Sequence, residues 1–289
     1  MNLKATKNLY QREWKDIEDE DTQPRFLREV ISASYKEFGE KVLEQDPKFV
    51  RTIVNSLYSG DIYILKKAFS GELLKNLVTN MHLHGKSTPS SFPKMLDGCP
   101  DFHRIITSEL SKNNSVQQIK HAYFLFPWNK DPLFKMIYER WRVFKFLGGF
   151  PLDSYEKNIP STGPVDRIQI AQYVSGEGEL EVHFDPTLNQ KMTISVIMSK
   201  RGEDFFDGGS YALDKNKERV DIEDDLDIGD IYIFYPTVLH GVETIDKENK
   251  VDWGSHKGRW FMGLYTSTSD SYAKQHAYYG VETEISTSL

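Results

Sequence analysis

Cysteine is almost missing from this chain: Cys99 stands alone among 289 residues. No intrachain disulfide can form, a thiolate metal site is excluded, and a reducing compartment is expected. Long apolar runs are missing too. Met1 to Asp21 is charged and carries nothing like a signal peptide, and no stretch is long enough to span a bilayer, so a cytoplasmic protein is expected. An excess of basic charge is also lacking. A net charge of −7 argues against a general nucleic-acid binder or a binder of anionic membranes. The sequence has no internal repeat, phosphate-binding Gly-rich loop, Gly-x-Ser-x-Gly elbow or dinucleotide fingerprint.

What is present suits one large core, with 39% hydrophobic and 13% aromatic residues. Residues 1–23 end in the acidic cluster Asp16 to Asp21 and read as a solvated, mobile arm. Residues 24–289 read as a single domain. From Pro24, Phe26, Leu27, Val30, Ile31, Tyr35, Phe38 and Val42 recur at helical steps, and a second helix carries Phe49 to Leu57. Asp61 to Leu65 reads as a strand, and Ser70 as the cap of a further helix. Residues 85–116 read as loop and Ile119 to Phe126 as a strand. Asp131-Pro132 opens a helix that ends at Gly148-Gly149.

After Pro164 the period changes to two. Strands are expected over 167–174, 180–184, 192–198, 220–222, 230–235 and 259–265, with glycines between them. Short strands behind a helical half (24–150) imply an α+β sheet sandwich with helices on one face.

His183, Asp185 and His240 carry the chemistry. Residues two apart on a strand point to one face, so His183 and Asp185 can reach a common ion while Phe184 points away. His240 follows the apolar strand Ile231 to Tyr235, which can lie beside the first. Two imidazoles and one carboxylate hold one face of an octahedral ferrous ion and leave three positions open, the pattern of non-haem iron oxygenases. Gly258-Arg259-Trp260 then offers a fixed cation for the far carboxylate of a 2-oxoacid. Lys250 is the other candidate, but it sits in what reads as an exposed turn. Thr193 and Ser195 alternate correctly to face the same cavity.

Tyr173-Val174-Ser175-Gly176, His183-Phe184-Asp185, Asp207-Gly208-Gly209-Ser210-Tyr211, Gly229-Asp230, His240-Gly241-Val242 and Arg259 together resemble the prolyl-hydroxylase-like branch of the 2-oxoglutarate/Fe(II) dioxygenases. The resemblance covers roughly residues 165–266. It implies a double-stranded β-helix (jelly roll, cupin-like) core braced by N-terminal helices. It also implies Fe(II) on His183, Asp185 and His240, 2-oxoglutarate anchored by Arg259 and contacted by Tyr173, and O2 as oxidant. The implied reaction hydroxylates an unactivated C–H bond, with succinate and CO2 as co-products. A small-molecule substrate such as a free amino acid or metabolite is expected. A peptidyl, prolyl-type substrate is the alternative, and a non-catalytic metal-binding barrel is a third reading.

Departures from the pattern narrow the branch. Plant-type relatives have serine two residues after the arginine, where Phe261 stands here. Nucleic-acid demethylases have a second arginine six residues on, where Tyr265 stands. Asp185 fills the position that halogenating relatives keep small. His82 and His84 read as solvated, and His103, His121, His256 and His276 show no partner pattern. The carboxylates between Asp221 and Asp227 read as a solvated turn. Substrate walls are expected from the loop at 150–166, the segment after Pro186, the insertion at 243–257, and the tail (267–289) with Tyr272, Tyr278 and Tyr279.

Overall fold

The computed structural model describes residues 7–112, 115–272 and 279–280. In chain order the elements are α1 (Leu9–Ile17), β1 (Val30–Ser34), α2 (Tyr35–Glu44), α3 (Pro47–Leu57), β2 (Ile62–Lys66), α4 (Gly71–Ser87), β3 (Phe102–Ile106), α5 (Ser108–Ser111), β4 (Gln118–Leu125) and α6 (Leu133–Leu147). There follow β5 (Val165–Val174), β6 (Glu179–Phe184), β7 (Thr193–Ile197), β8 (Gly209–Leu213), β9 (Arg219–Asp221), β10 (Ile231–Phe234), β11 (His240–Glu243), β12 (Gly258–Ser267) and β13 (Tyr279–Gly280).

The strands run β1-β2-β10-β7-β12-β5-β4-β6-β11-β8-β9, with β3 beside β4 and β13 beside β6. This one path folds over on itself. Arg259 of β12 bonds Ser210 of β8, so the long sheet β2-β10-β7-β12-β5 faces the short sheet β6-β11-β8-β9 across a common interior. Every β-pairing along the path is antiparallel except the parallel β1–β2. The core is the jelly roll expected from the sequence.

Period-two alternation sorts the long sheet into two faces. Ile168, Ile170, Ile194, Val196, Ile231, Ile233, Trp260, Met262 and Leu264 pack outward against α1, α2, α3 and α6. Their sequence neighbours, Ala171, Tyr173, Ile197, Tyr232, Phe234 and Phe261, pack into the interior. The helices cover one face, as in a sheet–helix layer.

Three expectations need correction. Residues 9–17 are no mobile arm: they form α1, capped by the Asn8 side chain, with Tyr10 and Trp14 buried. Trp14 stacks on Tyr235 at 5.6 Å and donates to the Leu147 carbonyl, so two aromatic residues four apart outweigh the acidic run behind them. The helix expected from Pro24 begins only at Tyr35, because Val30–Ser34 pairs with β2 instead. The stretch 85–116, expected to be loop, holds β3, which pairs with β4, and the short α5. The expected helices at 47–57 and 133–147 and the strands β2, β4, β5, β6, β7, β9, β10 and β12 are present. Among the described residues no helix is long and apolar enough to cross a membrane.

Candidate metal centre

His183 lies near the end of β6 and His240 opens β11, and the two are register partners. Their rings stand 4.3 Å apart between centroids. Asp185 follows β6 by one residue and is fixed there by its N–H bond to the Pro236 carbonyl, 2.9 Å. Antiparallel pairing of two short strands therefore brings residues 55 to 57 positions apart in the chain to one point.

Each imidazole is oriented by the backbone. Nδ1 of His183 meets the Glu181 carbonyl at 2.9 Å, and Nδ1 of His240 meets the Val238 carbonyl at 2.9 Å. A carbonyl only accepts, so both Nδ1 atoms carry hydrogen and both Nε2 atoms are the basic nitrogens. Those Nε2 atoms face Asp185, His183 at 3.8 Å from Oδ1 and His240 at 3.8 Å from Oδ2. All three ligand atoms lie within 4.8 Å of one another. Two ligands sharing one first-row ion through bonds of about 2.1 Å lie at most about 4.2 Å apart; both 3.8 Å contacts to Asp185 fall inside that limit, and the set as a whole, within 4.8 Å, closes on a single ion by a small inward shift of the side chains.

Electrostatics point the same way. Asp185 is 2% exposed, and its Oδ1 accepts no hydrogen bond among the described residues. Burial raises its carboxyl above the usual range, against the opposing pull of His240, the Thr193 hydrogen bond, Lys120 and Arg167. Burial, reinforced by His240, holds His183 well below the usual imidazole range. Two imidazole nitrogens and a carboxylate oxygen, buried and gathered at one point, are a donor set that a cation between them satisfies. The donor set fits a divalent metal ion.

Thr193 is brought to the cluster, but as a support: its Oγ1 donates to Asp185 Oδ2 at 2.8 Å. A hydroxyl at this place orients a ligating carboxylate. Glu181, which shares strand parity with His183, is exposed and accepts from the Gln117 N–H, away from the cluster.

Arg259 and Tyr173 sit together elsewhere in the same interior. They are register partners on β12 and β5, and both are buried. Gly258 makes this possible. Its φ is +125°, and a Cβ there would stand 2.2 Å from the Tyr173 carbonyl oxygen. The Tyr173 ring stacks on Phe261 with centroids 5.7 Å apart. Arg259 bonds Glu223 through Nε at 2.7 Å and Ser210 Oγ through Nη2 at 2.7 Å. Burial disfavours its charge, but Glu223 together with Tyr232 and Tyr173 more than restores it. Glu223 corrects the expectation of a wholly solvated acidic turn: it is 2% exposed and folds inward, while Asp221 and Asp224 pair with Arg201. Lys250 is exposed, as expected.

Sequence reasoning passed over two inward cations. Lys120 and Arg167 are 1% and 8% exposed. For Lys120 the available signal was parity, since it shares the strand face of the apolar Ala122 and Phe124. It also missed the buried contact of His103 Nδ1 with His121 Nε2, 2.8 Å. Of the expected substrate walls, Tyr278 and the Tyr279 side chain lie outside the described residues, as does His276, which showed no partner pattern in the sequence.

Comparison with known proteins finds no matching family model and no matching curated protein. Solved structures do resemble the chain. A prolyl-4-hydroxylase from Pseudomonas putida is 9% identical, with a TM-score of 0.45 over 75% of this chain and 97% of that one. A full-length Neurospora crassa protein, solved in complex with alpha-KG and thymine, is 14% identical, with a TM-score of 0.49 over 86% and 87%. JOX2, in complex with 2OG, Fe and JA, is 13% identical, with a TM-score of 0.48 over 94% and 82%. At such identities the likeness is one of fold, and the site's own geometry carries the chemistry.

Proposed function

We propose that the chain is an Fe(II)- and 2-oxoglutarate-dependent oxygenase that hydroxylates a C–H bond of a small molecule, such as a free amino acid or metabolite. The observation that carries this reading is the buried convergence of His183, Asp185 and His240, with two oriented Nε2 atoms and one unsatisfied carboxylate oxygen. Three ligands on one face leave the opposite positions to co-substrate and oxygen.

Ferrous ion, when bound there with 2-oxoglutarate, supplies the activation of O2: one oxygen atom leaves in succinate, CO2 is released, and the other atom enters the substrate C–H bond. The chain's residues do the rest. The Glu181 and Val238 carbonyls fix both imidazole tautomers. Thr193 holds one Asp185 oxygen and so presents the other. Phe234 stands edge-on to His240 at 4.6 Å and keeps water from that side. Arg259, inward-facing and beside Tyr173, is the anchor for the distal carboxylate, through the guanidinium N–H groups that Glu223 and Ser210 leave over.

Under anaerobic conditions Fe(II) and 2-oxoglutarate together should give a weak visible charge-transfer band at one equivalent per chain, absent with either alone. His183→Ala and His240→Ala should each abolish it. An unchanged band in both variants means the centre lies elsewhere. A band without any oxygen-dependent succinate describes a binding protein and sinks the enzymatic reading.

A further inference from the structure

Strand register sorts the inward face of the long sheet into rows that run across the strands. One row reads Phe124 on β4, Gln169 on β5, Gly263 on β12, Ser195 on β7 and Tyr232 on β10. The next row toward Arg259 is apolar throughout: Ala122, Ala171, Phe261 and Ile197. Gln169 is 2% exposed, and its Nε2 has no hydrogen-bond partner among the described residues. Ser195, also buried, offers a hydroxyl from the same row. Gly263 lies between them without a side chain, and the Tyr265 ring fills the room this leaves. A Cβ at Gly263 would stand 2.8 Å from the Tyr265 hydroxyl oxygen. A carboxamide and two hydroxyls are thus gathered on one line of the floor, beside an apolar strip.

A buried N–H without a partner carries its full desolvation cost, which an apolar side chain of the same length would not. The row lies next to the metal centre. Ser195 stands two residues from Thr193, the support of Asp185, and a residue rise of about 3.4 Å puts the row roughly 7 Å from Thr193 along β7. The co-substrate does not account for the free donor. Its far carboxylate is assigned to Arg259 and its keto acid to the metal, and only methylenes lie between them. The group that satisfies Gln169 therefore belongs to the molecule being oxidised.

We propose that Gln169 is a specificity-determining residue for the oxidised substrate, and that this substrate is a primary amide or a lactam paired with the Gln169 carboxamide. The inference rests on the oxygenase reading above and narrows its substrate to a small uncharged amide. A carboxamide sets a donor and an acceptor side by side, so its complement is a group whose C=O and N–H lie on one side. Primary amides and lactams have that arrangement. A trans peptide bond points its C=O and N–H in opposite directions and offers only one of them. A carboxylate brings two acceptors and sets one against Gln169 Oε1, and an ester has no N–H. The apolar strip beside the row takes the carbon part of the molecule.

The test uses the full chain loaded with Fe(II) and 2-oxoglutarate. Matched probes are hexanamide against hexanoate, phenylacetamide against phenylacetate, and valerolactam against valerolactone. The readouts are the anaerobic visible band and oxygen-dependent succinate formation. At least one amide should shift the band and stimulate succinate at a half-saturation roughly tenfold or more below that of its partner. Gln169→Met keeps the length and removes the polar atoms. It should abolish the amide preference and, without ligand, melt about 2 °C or more above the parent, because no unpaired donor is then buried. If the amides act no better than their partners, if no amide acts, or if Gln169→Met raises the 2-oxoglutarate requirement and keeps the amide preference, the inference is overturned while the oxygenase reading stands. A Gln169→Met protein that melts no higher than the parent makes the carboxamide a structural group and overturns it too. The amide comparison in the unaltered protein decides the matter even if that variant does not fold. If no band forms with Fe(II) and 2-oxoglutarate, both readings fall together.

Discussion

Glu223 reaches from the turn after β9 to hold Arg259 at the start of β12, Oε2 to Nε 2.7 Å, with both side chains 1% exposed. The same Oε2 accepts the Ser210 N–H at 2.8 Å. The cation proposed to anchor the co-substrate therefore already has a carboxylate in its grip, and a second carboxylate must share the guanidinium or displace the first.

That competition can be measured. Removing one partner of a buried ion pair leaves a charge uncompensated, at a cost of about 3–5 kcal/mol. Glu223→Gln should therefore melt lower than the parent protein without ligand, and 2-oxoglutarate should raise its melting temperature by more than it raises the parent's. Equal stabilisation of the two proteins would remove Glu223 from the co-substrate site. Arg259→Ala should raise the 2-oxoglutarate requirement at least tenfold, given about 1.5–3 kcal/mol for a charge-assisted bond, whereas Lys250→Ala should leave it unchanged.

Thr193→Val should weaken the metal site without touching a ligand. It removes the bond that holds Asp185 Oδ2, and loss of such a support costs roughly 10–100-fold in metal affinity. Glu181→Gln, altering an exposed residue bonded to the Gln117 N–H, should do little. Fe(II) or Mn(II) titration of both variants decides the matter, and an unchanged affinity for Thr193→Val means the hydroxyl only fills space.

The metal cluster was legible in the sequence because strand parity is rigid: His183 and Asp185 must share a face, whatever the loops do. Arg259 was legible as an inward residue for the same reason, but its partner was not. Glu223 sits among carboxylates that read as solvated, and only the turn bringing it over Ser210 buries it. The spacing of Phe26 to Val42 fits a helix as well as it fits a strand followed by a helix, and β2 supplied the choice by pairing with Val30–Ser34. In α1, Tyr10 and Trp14 are four residues apart and aromatic, a helical signal that the acidic run after them masks in the sequence but does not override in the fold.

Trp14 provides a direct check on that helix. It is 2% exposed, stacked on Tyr235 and bonded to the Leu147 carbonyl, while Glu18 accepts the Tyr235 hydroxyl at 2.9 Å. Trp14→Ala should lower the unfolding free energy by about 3–5 kcal/mol, read by chemical denaturation. A change under about 0.5 kcal/mol would show that α1 is dispensable to the core.

The last prediction concerns acid. His103 Nε2 meets the Thr88 carbonyl at 2.7 Å, so it carries the hydrogen and Nδ1 accepts from His121 Nε2 at 2.8 Å. His121 Nδ1 then accepts the Tyr123 hydroxyl at 3.3 Å. The chain of bonds is complete with both imidazoles neutral. Burial holds His103 below its ordinary range; burial, with His103, His82 and His84 nearby, pushes His121 down to about 3. Unfolded histidines take up protons near pH 6.5 while the folded pair resists, so the unfolded state binds more protons below that point. Stability is therefore complete above about pH 6.5 and is lost as pH falls from there toward 3, by up to about 1.4 kcal/mol per pH unit for each histidine. His121→Gln removes one of the two resisting groups. Between pH 7.5 and 5.0 the variant should lose less unfolding free energy than the parent, by up to about 2 kcal/mol, even though it starts lower for want of the bond to His103. His183, also held neutral by burial, contributes equally to both proteins and cancels. Parallel losses in denaturation at the two pH values would mean that His121 titrates normally and that the bond chain is not maintained in solution.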